Sequence, residues 1–421
     1  AASDVYKRQV KKEEDIMKKF NKFLSVAVAS AMVMAMAGCG NTDNGSAATG
    51  TNAATESAAA SESAASGSVF KIGGIGPTTG GAAVYGLAVQ HGAEIAIEEI
   101  NAAGGINGYQ VEFKFQDDEA DAEKSVNAYN ALKDWGAQII DGSTTSGACI
   151  AVTDKTKEDN MFQITPSGSA VECVQYDNNF RVCFSNPNQG LASAQYIGEN
   201  GLAEKIAVIY DSSDVYSSGI YEKFVKEAEN QPFEVVAAEA FTADNKTDFS
   251  VQLQKAKDAG ADMVFLPIYY QESALILTQA AAMGYAPKWF SCDGMDGILG
   301  GVDNFDVSLT EGVMLLTPFA ADATDDLTQS FVTKYKEKYG DTPNQFAADS
   351  YDAIYVIKAA IEKSGVTPDM SVSDICDGMK AAMTEITVDG LTGNGMTWTA
   401  DGEANKAPKA VVIENGAYKA M

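Results

Sequence analysis

From Val69 onward, short apolar runs alternate with stretches in which apolar residues recur at helical spacing. Val69 to Ile75 reads as a strand. Residues 82–101 put Val89, Ala93, Ala96, Ile97 and Ile100 on one helical face and stop near Gly104-Gly105. Val111 to Phe115 alternates as a strand, followed by a helix over about 121–135, a strand at 137–140, a helix over about 147–158 and a strand at 161–164. The rhythm restarts with a strand at 205–210, a helix over about 216–230, a strand at 233–237, a helix over about 248–259 and a strand at 262–266. Two such blocks predict an α/β chain with two doubly wound parallel sheets, each covered by helices on both faces. In open parallel sheets a ligand sits beyond the carboxyl ends of the strands. The loops to inspect are therefore 76–81, 141–147, 165–170, 211–218, 267–272 and 291–297.

The N-terminal stretch follows a different logic. Residues 1–16 fit no targeting pattern and read as upstream or non-native sequence. Met17-Lys18-Lys19-Phe20-Asn21-Lys22 supplies a basic start, and an apolar run from Phe23 to Gly38 is shorter than the ~20 residues a membrane-spanning helix needs. Ala37-Gly38-Cys39 resembles the lipobox of bacterial lipoproteins, with Met36 where an aliphatic residue is usual. That resemblance implies a signal peptide at 17–38 and lipidation of Cys39. Ser, Ala, Gly, Thr, Asn and Glu dominate up to residue 68, too little apolar surface to fold, so 39–68 is expected to be a flexible tether.

Composition narrows the function. Of 421 residues, 46% are hydrophobic, and 30 Lys plus Arg against 58 Asp plus Glu give a net charge of −28. A chain starting at Cys39 has lost seven basic and four acidic residues, leaving 23 against 54, or −31. Such a surface repels phosphate backbones, which argues against a nucleic-acid partner. A Ser-His-Asp triad would need His91, the single histidine, as its base. His91 lies on the first helix and reads as a packed or surface residue. The six cysteines show no C-x-x-C spacing. No cofactor or metal is expected: Pro77 and the wrong spacing spoil a dinucleotide reading of Gly74 to Gly80. The acidic runs Asp117-Asp118-Glu119 and Asp293 to Asp296 lack the pattern of a calcium loop.

Several segments after residue 69 are similar to the branched-chain amino-acid (Leu/Ile/Val) binding family, the extracellular solute-binding proteins of ABC transporters. They are Gly80 to Gly86, the helix core Gly92 to Ile100 with its close at Asn101 to Gly108, and Asp117-Asp118. Gly142 to Ser146, Ile164 to Ser169, Tyr351-Asp352-Ala353 and the stretch Leu391 to Gly402 follow in the family's order. The resemblance implies the type I bilobal periplasmic-binding-protein fold, with three strands crossing between lobes. Lobe 1 is expected at 69–187 and 316–408, and lobe 2 at 188–315 and 409–421. It also implies capture of an amino acid, most plainly an aliphatic one, by a monomer without enzymatic activity that hands it to permease subunits at the extracellular face or in the periplasm.

The resemblance assigns ligand contacts as well. Thr145 and Ser146 with Ser169 are expected to meet a carboxylate near helix N-termini, and Ser167 to offer its carbonyl. Asp293, where the family often has Glu, is expected to hold the ammonium, and Tyr85, Tyr216 and Tyr269 to surround the side chain. Singly, each has a plainer reading: serines cap helices, Asp before Gly sits in turns, and tyrosines pack. Their convergence on strand ends favours a site. Two other functions stay open: a site for an amide, a urea-like compound or an aromatic acid, or a sensor that presents its closed form to a receptor. Cys173 and Cys183, ten residues apart, could form a disulfide outside the cell; Cys149, Cys292 and Cys376 read as buried small residues.

Overall fold

The computed structural model describes residues 67–421. The signal peptide, Cys39 and nearly all of the tether lie outside them. In chain order the elements are β1 (Phe70–Gly76), α1 (Ala83–Ala102), β2 (Val111–Asp117), α2 (Ala122–Trp135), β3 (Ile139–Asp141), α3 (Ser146–Glu158), β4 (Phe162–Thr165), β5 (Asn179–Arg181) and α4 (Asn186–Glu199). There follow β6 (Lys205–Asp211), α5 (Val215–Ala228), β7 (Glu234–Phe241), α6 (Ser250–Asp258), β8 (Met263–Leu266), α7 (Tyr270–Ala282), β9 (Lys288–Ser291) and β10 (Met314–Thr317). Three helices, α8 (Asp326–Tyr339), α9 (Gln345–Ser364) and α10 (Val372–Met383), precede the hairpin β11 (Lys409–Glu414) and β12 (Ala417–Ala420).

The strands form two sheets. The first is wholly parallel, in the order β2-β1-β3-β4-β5. The second runs β12-β11-β10-β9-β8-β6-β7 and is parallel from β10 to β7, with β11 and β12 added antiparallel at one edge. Strands β3, β4 and β8 are buried at every position, as strands covered on both faces are, and β8 (Met-Val-Phe-Leu) is apolar throughout. Helices α1 and α9 pack closely: a Cβ on Gly92 would lie 2.0 Å from the Ala347 carbonyl oxygen, so only glycine permits that approach.

The chain passes between the two sheets three times, at 182–185, at 318–325 and at 405–408. These passages are irregular backbone prolonging strands, not the crossing strands expected. Lys406 ties two of them: buried at 1% side-chain exposure, it donates to the Val182 carbonyl (3.0 Å) and to Asp349 of α9 (2.7 Å).

Asp121, Asp325 and Asn344 cap α2, α8 and α9 with side-chain hydrogen bonds, and each of these helices closes on a left-handed glycine. Helices α3, α4 and α7, whose first turns lie beyond strand ends, have no side-chain cap. The first amides of α4 and α7 are taken up by the Ser169 carbonyl and the Tyr85 hydroxyl, while the start of α3 has no side-chain cap.

Candidate functional site

One cavity lies between the strand ends of the two sheets, lined by Tyr85, Thr144, Thr145, Ser146, Ser167, Tyr216, Tyr269, Asp293, Gly294 and Phe346. Its empty space is about 240 Å3, of which about 10 Å3 admits the centre of a water molecule. Walls from both sides already touch. Tyr85 on α1 donates to the Gly294 carbonyl and accepts from the Tyr270 amide at 3.2 Å. A solute the size of an amino acid therefore needs the walls to part before it is admitted.

The first wall is built for a carboxylate. Thr145 precedes α3, its hydroxyl makes no capping bond, and Oγ1 is buried without a partner. Ser146 Oγ accepts from the amides of Ser169 and Ala170, both at 3.2 Å, so its own hydrogen is the one to donate, with Ser169 Oγ at 3.5 Å within its reach. The helix start adds uncapped N–H groups and the positive end of its dipole. Ser167 is the reverse case: its hydroxyl donates to the Thr144 carbonyl at 2.6 Å, so toward the cavity it can only accept.

The second wall carries an acid. Asp293 follows β9 in a short 3-10 turn and is 4% exposed. Tyr216 donates to one carboxylate oxygen at 2.7 Å and Gln189 of α4 to the other at 2.8 Å. Burial pushes the carboxyl up to about 7, with the Asp349 charge adding to it, against the opposing hydrogen bonds of Tyr216 and Gln189. Among the described residues no cation pairs with it; Lys406 is engaged with Asp349. Burial, then the Asp293 charge, holds the Tyr216 phenol well above its ordinary value, so it remains a donor. Aromatic rings close the remaining sides. Tyr216 stacks on Tyr269 with centroids 5.0 Å apart, Tyr85 meets Tyr269 edge-on at 5.5 Å, and Phe346 lies 4.4 Å from Tyr85.

A larger cavity of about 660 Å3 adjoins this one through Thr145 and Tyr269. Glu119, Asp211, Asp214 and Glu272 line it, with Lys246 bonded to Glu272 at 2.9 Å. Its acidic lining disfavours anions approaching the inner space.

Seven of the eight expected contact residues line the inner cavity: Tyr85, Thr145, Ser146, Ser167, Tyr216, Tyr269 and Asp293. Ser169 does not. It is 1% exposed and stands behind Ser146, held by its amide and by its carbonyl, which accepts from Asn186. Thr144, Gly294, Phe346 and the supporting Gln189 were not foreseen. Ser185 and Pro187 mark the start of the helix that bears Gln189, but no local pattern aims that side chain at Asp293. Cys173 and Cys183 are unbridged and buried. His91 is packed, stacking on Tyr339 at 3.6 Å and lying 3.2 Å from the Tyr335 hydroxyl.

Known proteins with related sequences share this architecture. Residues 69–417 match the periplasmic binding protein family. The chain is 31% identical over 302 residues to the leucine-, isoleucine-, valine-, threonine- and alanine-binding protein of Pseudomonas aeruginosa, covering 70% of this chain and 78% of that protein. It is 30% identical over 300 residues to Leu/Ile/Val-binding protein homolog 3 of Brucella melitensis, covering 71% and 80% respectively. Among solved structures, the branched-chain amino-acid substrate-binding protein LivJ of Streptococcus pneumoniae in complex with isoleucine superposes with a TM-score of 0.75 at 28% identity, over 84% of this chain and 98% of that one.

Proposed function

The chain belongs to the periplasmic binding protein family, and on that premise we propose that it captures an aliphatic amino acid, leucine, isoleucine or valine first, for uptake by an ABC transporter. Members of this family are periplasmic or extracellular solute-binding proteins, not enzymes, and work with transporter permeases. One observation carries the reading. A free Thr145 hydroxyl and a donor-only Ser146 hydroxyl at a helix N-terminus face an unpaired, buried Asp293 carboxylate across one cavity. A zwitterion satisfies both, its carboxylate at the hydroxyls and its ammonium at Asp293, with Ser167 as a second acceptor. The rings of Tyr85, Tyr216, Tyr269 and Phe346 offer an apolar surround to its side chain. A ligand lacking an amine leaves the acid unpaired, which disfavours an aromatic acid, amide or urea-like solute.

Capture proceeds by hinge closure about the three passages, the ligand favouring the closed form because it touches both walls. We assign residues 69–187 with 316–408 to one lobe and 188–315 with 409–421 to the other; the membership of the two sheets supports this except at β10, which carries the second sheet on to Thr317. The protein acts as a monomer without catalysis, tethered through lipidated Cys39 to the outer face of the membrane. Among the described residues no helix is long and apolar enough to cross a membrane. A thermal-shift screen of the common amino acids tests the central reading. A ligand at 100 times its Kd adds about 2.7 kcal/mol of stability, so leucine, isoleucine or valine is expected to raise the melting temperature. A panel in which no amino acid moves it overturns the proposal.

A further inference from the structure

Behind the hydroxyl wall lies a pair of thiols that ligand capture does not use. Cys149 and Cys173 are both fully buried and share a small cluster with Ala170. The geometry follows from the helix: Ser146 and Cys149 are three residues apart on α3 and share a face. The Cys173 thiol donates to the Ser146 carbonyl at 3.7 Å and also meets the Cys149 thiol. Gln163 donates to Cys149 Sγ at 3.6 Å. The two cysteines belong to the segments that form the hydroxyl wall, Cys149 to the first turns of α3 and Cys173 to the short helix Val171–Val174 after Ser169.

We propose that Cys149 and Cys173 are an oxidisable pair whose disulfide staples the start of α3 to the 171–174 segment. The reaction is thiol–disulfide exchange with a disulfide-bearing oxidant, either a small-molecule disulfide or an oxidoreductase. The Cys149 thiolate attacks one sulfur of the donor and expels a donor thiolate. The Cys173 thiolate then attacks Cys149 Sγ and expels the second. Two thiols lose two electrons and two protons, and one donor disulfide becomes two thiols. With the segment open, either thiolate can lead the attack. In the folded wall, burial pushes the Cys149 thiol up, but its polar contacts with Cys173 and Thr165 and the buried Arg181 guanidinium outweigh burial and hold it below its ordinary value. Burial, together with the Cys149 charge, holds Cys173 well above its own. Because both sulfurs are enclosed, exchange takes place while the chain folds or when this segment opens.

The test refolds the full chain from urea in a glutathione redox buffer, so that burial is no barrier. Acid quench, denaturation, alkylation with N-ethylmaleimide and intact mass follow. The expected result is two fewer adducts than in a dithiothreitol-treated control, and a proteolytic peptide joining Cys149 to Cys173. The oxidised form should also melt several degrees higher than the reduced form, a difference lost in Cys173→Ala and kept in Cys183→Ala. Full alkylation of the refolded wild-type chain overturns the proposal, as does a bridge from Cys173 to Cys183. Neither readout requires a ligand, so this inference stands or falls apart from the proposed function.

Discussion

Replacing Asp293 with Asn separates charge from shape at the acid wall. At about 3 Å and an effective dielectric near 20, an ammonium and a carboxylate attract by about 5 kcal/mol, part of which offsets desolvation of the ammonium. Truncating one partner of a buried charge pair costs about 2–5 kcal/mol, and the isosteric change is expected to cost about 2–4. That is a loss of about 30- to 900-fold in leucine affinity by calorimetry at pH 8. The ligand-free protein should respond oppositely. Asp293 has no cation, and its carboxyl is raised from 3.8 to about 7, so keeping it ionised at pH 8 costs on the order of 4 kcal/mol that the variant avoids. Asp293→Asn should therefore melt higher than wild type at pH 8 and equally at pH 3.5, where both side chains are neutral. Weaker binding with greater stability excludes simple misfolding. Unchanged affinity, or a variant that binds weakly because it is less stable, refutes the reasoning.

Further outcomes follow from the same geometry. Ligand binding needs an ionised Asp293 and lowers its pKa, so affinity should be flat above about pH 7 and fall about tenfold per unit below it; a flat profile from pH 5 to 8 contradicts this. Thr145→Val removes the one unpartnered hydroxyl of the inner wall; affinity should drop about 5- to 30-fold while the ligand-free melting temperature holds or rises. Asp141 (about 7) and Asp118, Asp296 and Asp349 (about 6) are likewise raised by burial. The unfolded chain releases those protons first, so differential scanning calorimetry should show the stability from these groups present near pH 4 and declining as pH rises toward 7. Cys39→Ala should move the protein from the membrane fraction to the soluble fraction of its host.

The strand–helix alternation was legible because β1, β6 and β8 are largely apolar and buried, while β2 alternates apolar with polar residues. The strand ends came within a few residues of 76, 141, 165, 211 and 266, which located the loops bearing Thr145, Ser167, Tyr216 and Tyr269. Tertiary direction was not legible. Nothing near Gln189 or Phe346 marks them as neighbours of Asp293 or Tyr85, because both sit in first turns of helices that reach the cavity from elsewhere in the chain. Ser169 reads locally like Ser146, yet only the folded wall decides that its amide holds Ser146 in place and that its hydroxyl lies 3.5 Å from Ser146 Oγ, outside the cavity lining. The partner of Cys173 was open in the sequence for the same reason. Its nearest thiol in space comes from the preceding helix, not from Cys183.

The most direct measurement compares leucine with 4-methyl-2-oxopentanoate, its keto acid, and with 3-methylbutylamine, which lacks the carboxylate, by calorimetry at pH 8. Leucine is expected to bind, and each single-charge analogue to bind at least 30-fold more weakly, because each leaves one wall unanswered. A keto acid that binds as tightly as leucine would contradict a cavity that grips both ends of a zwitterion.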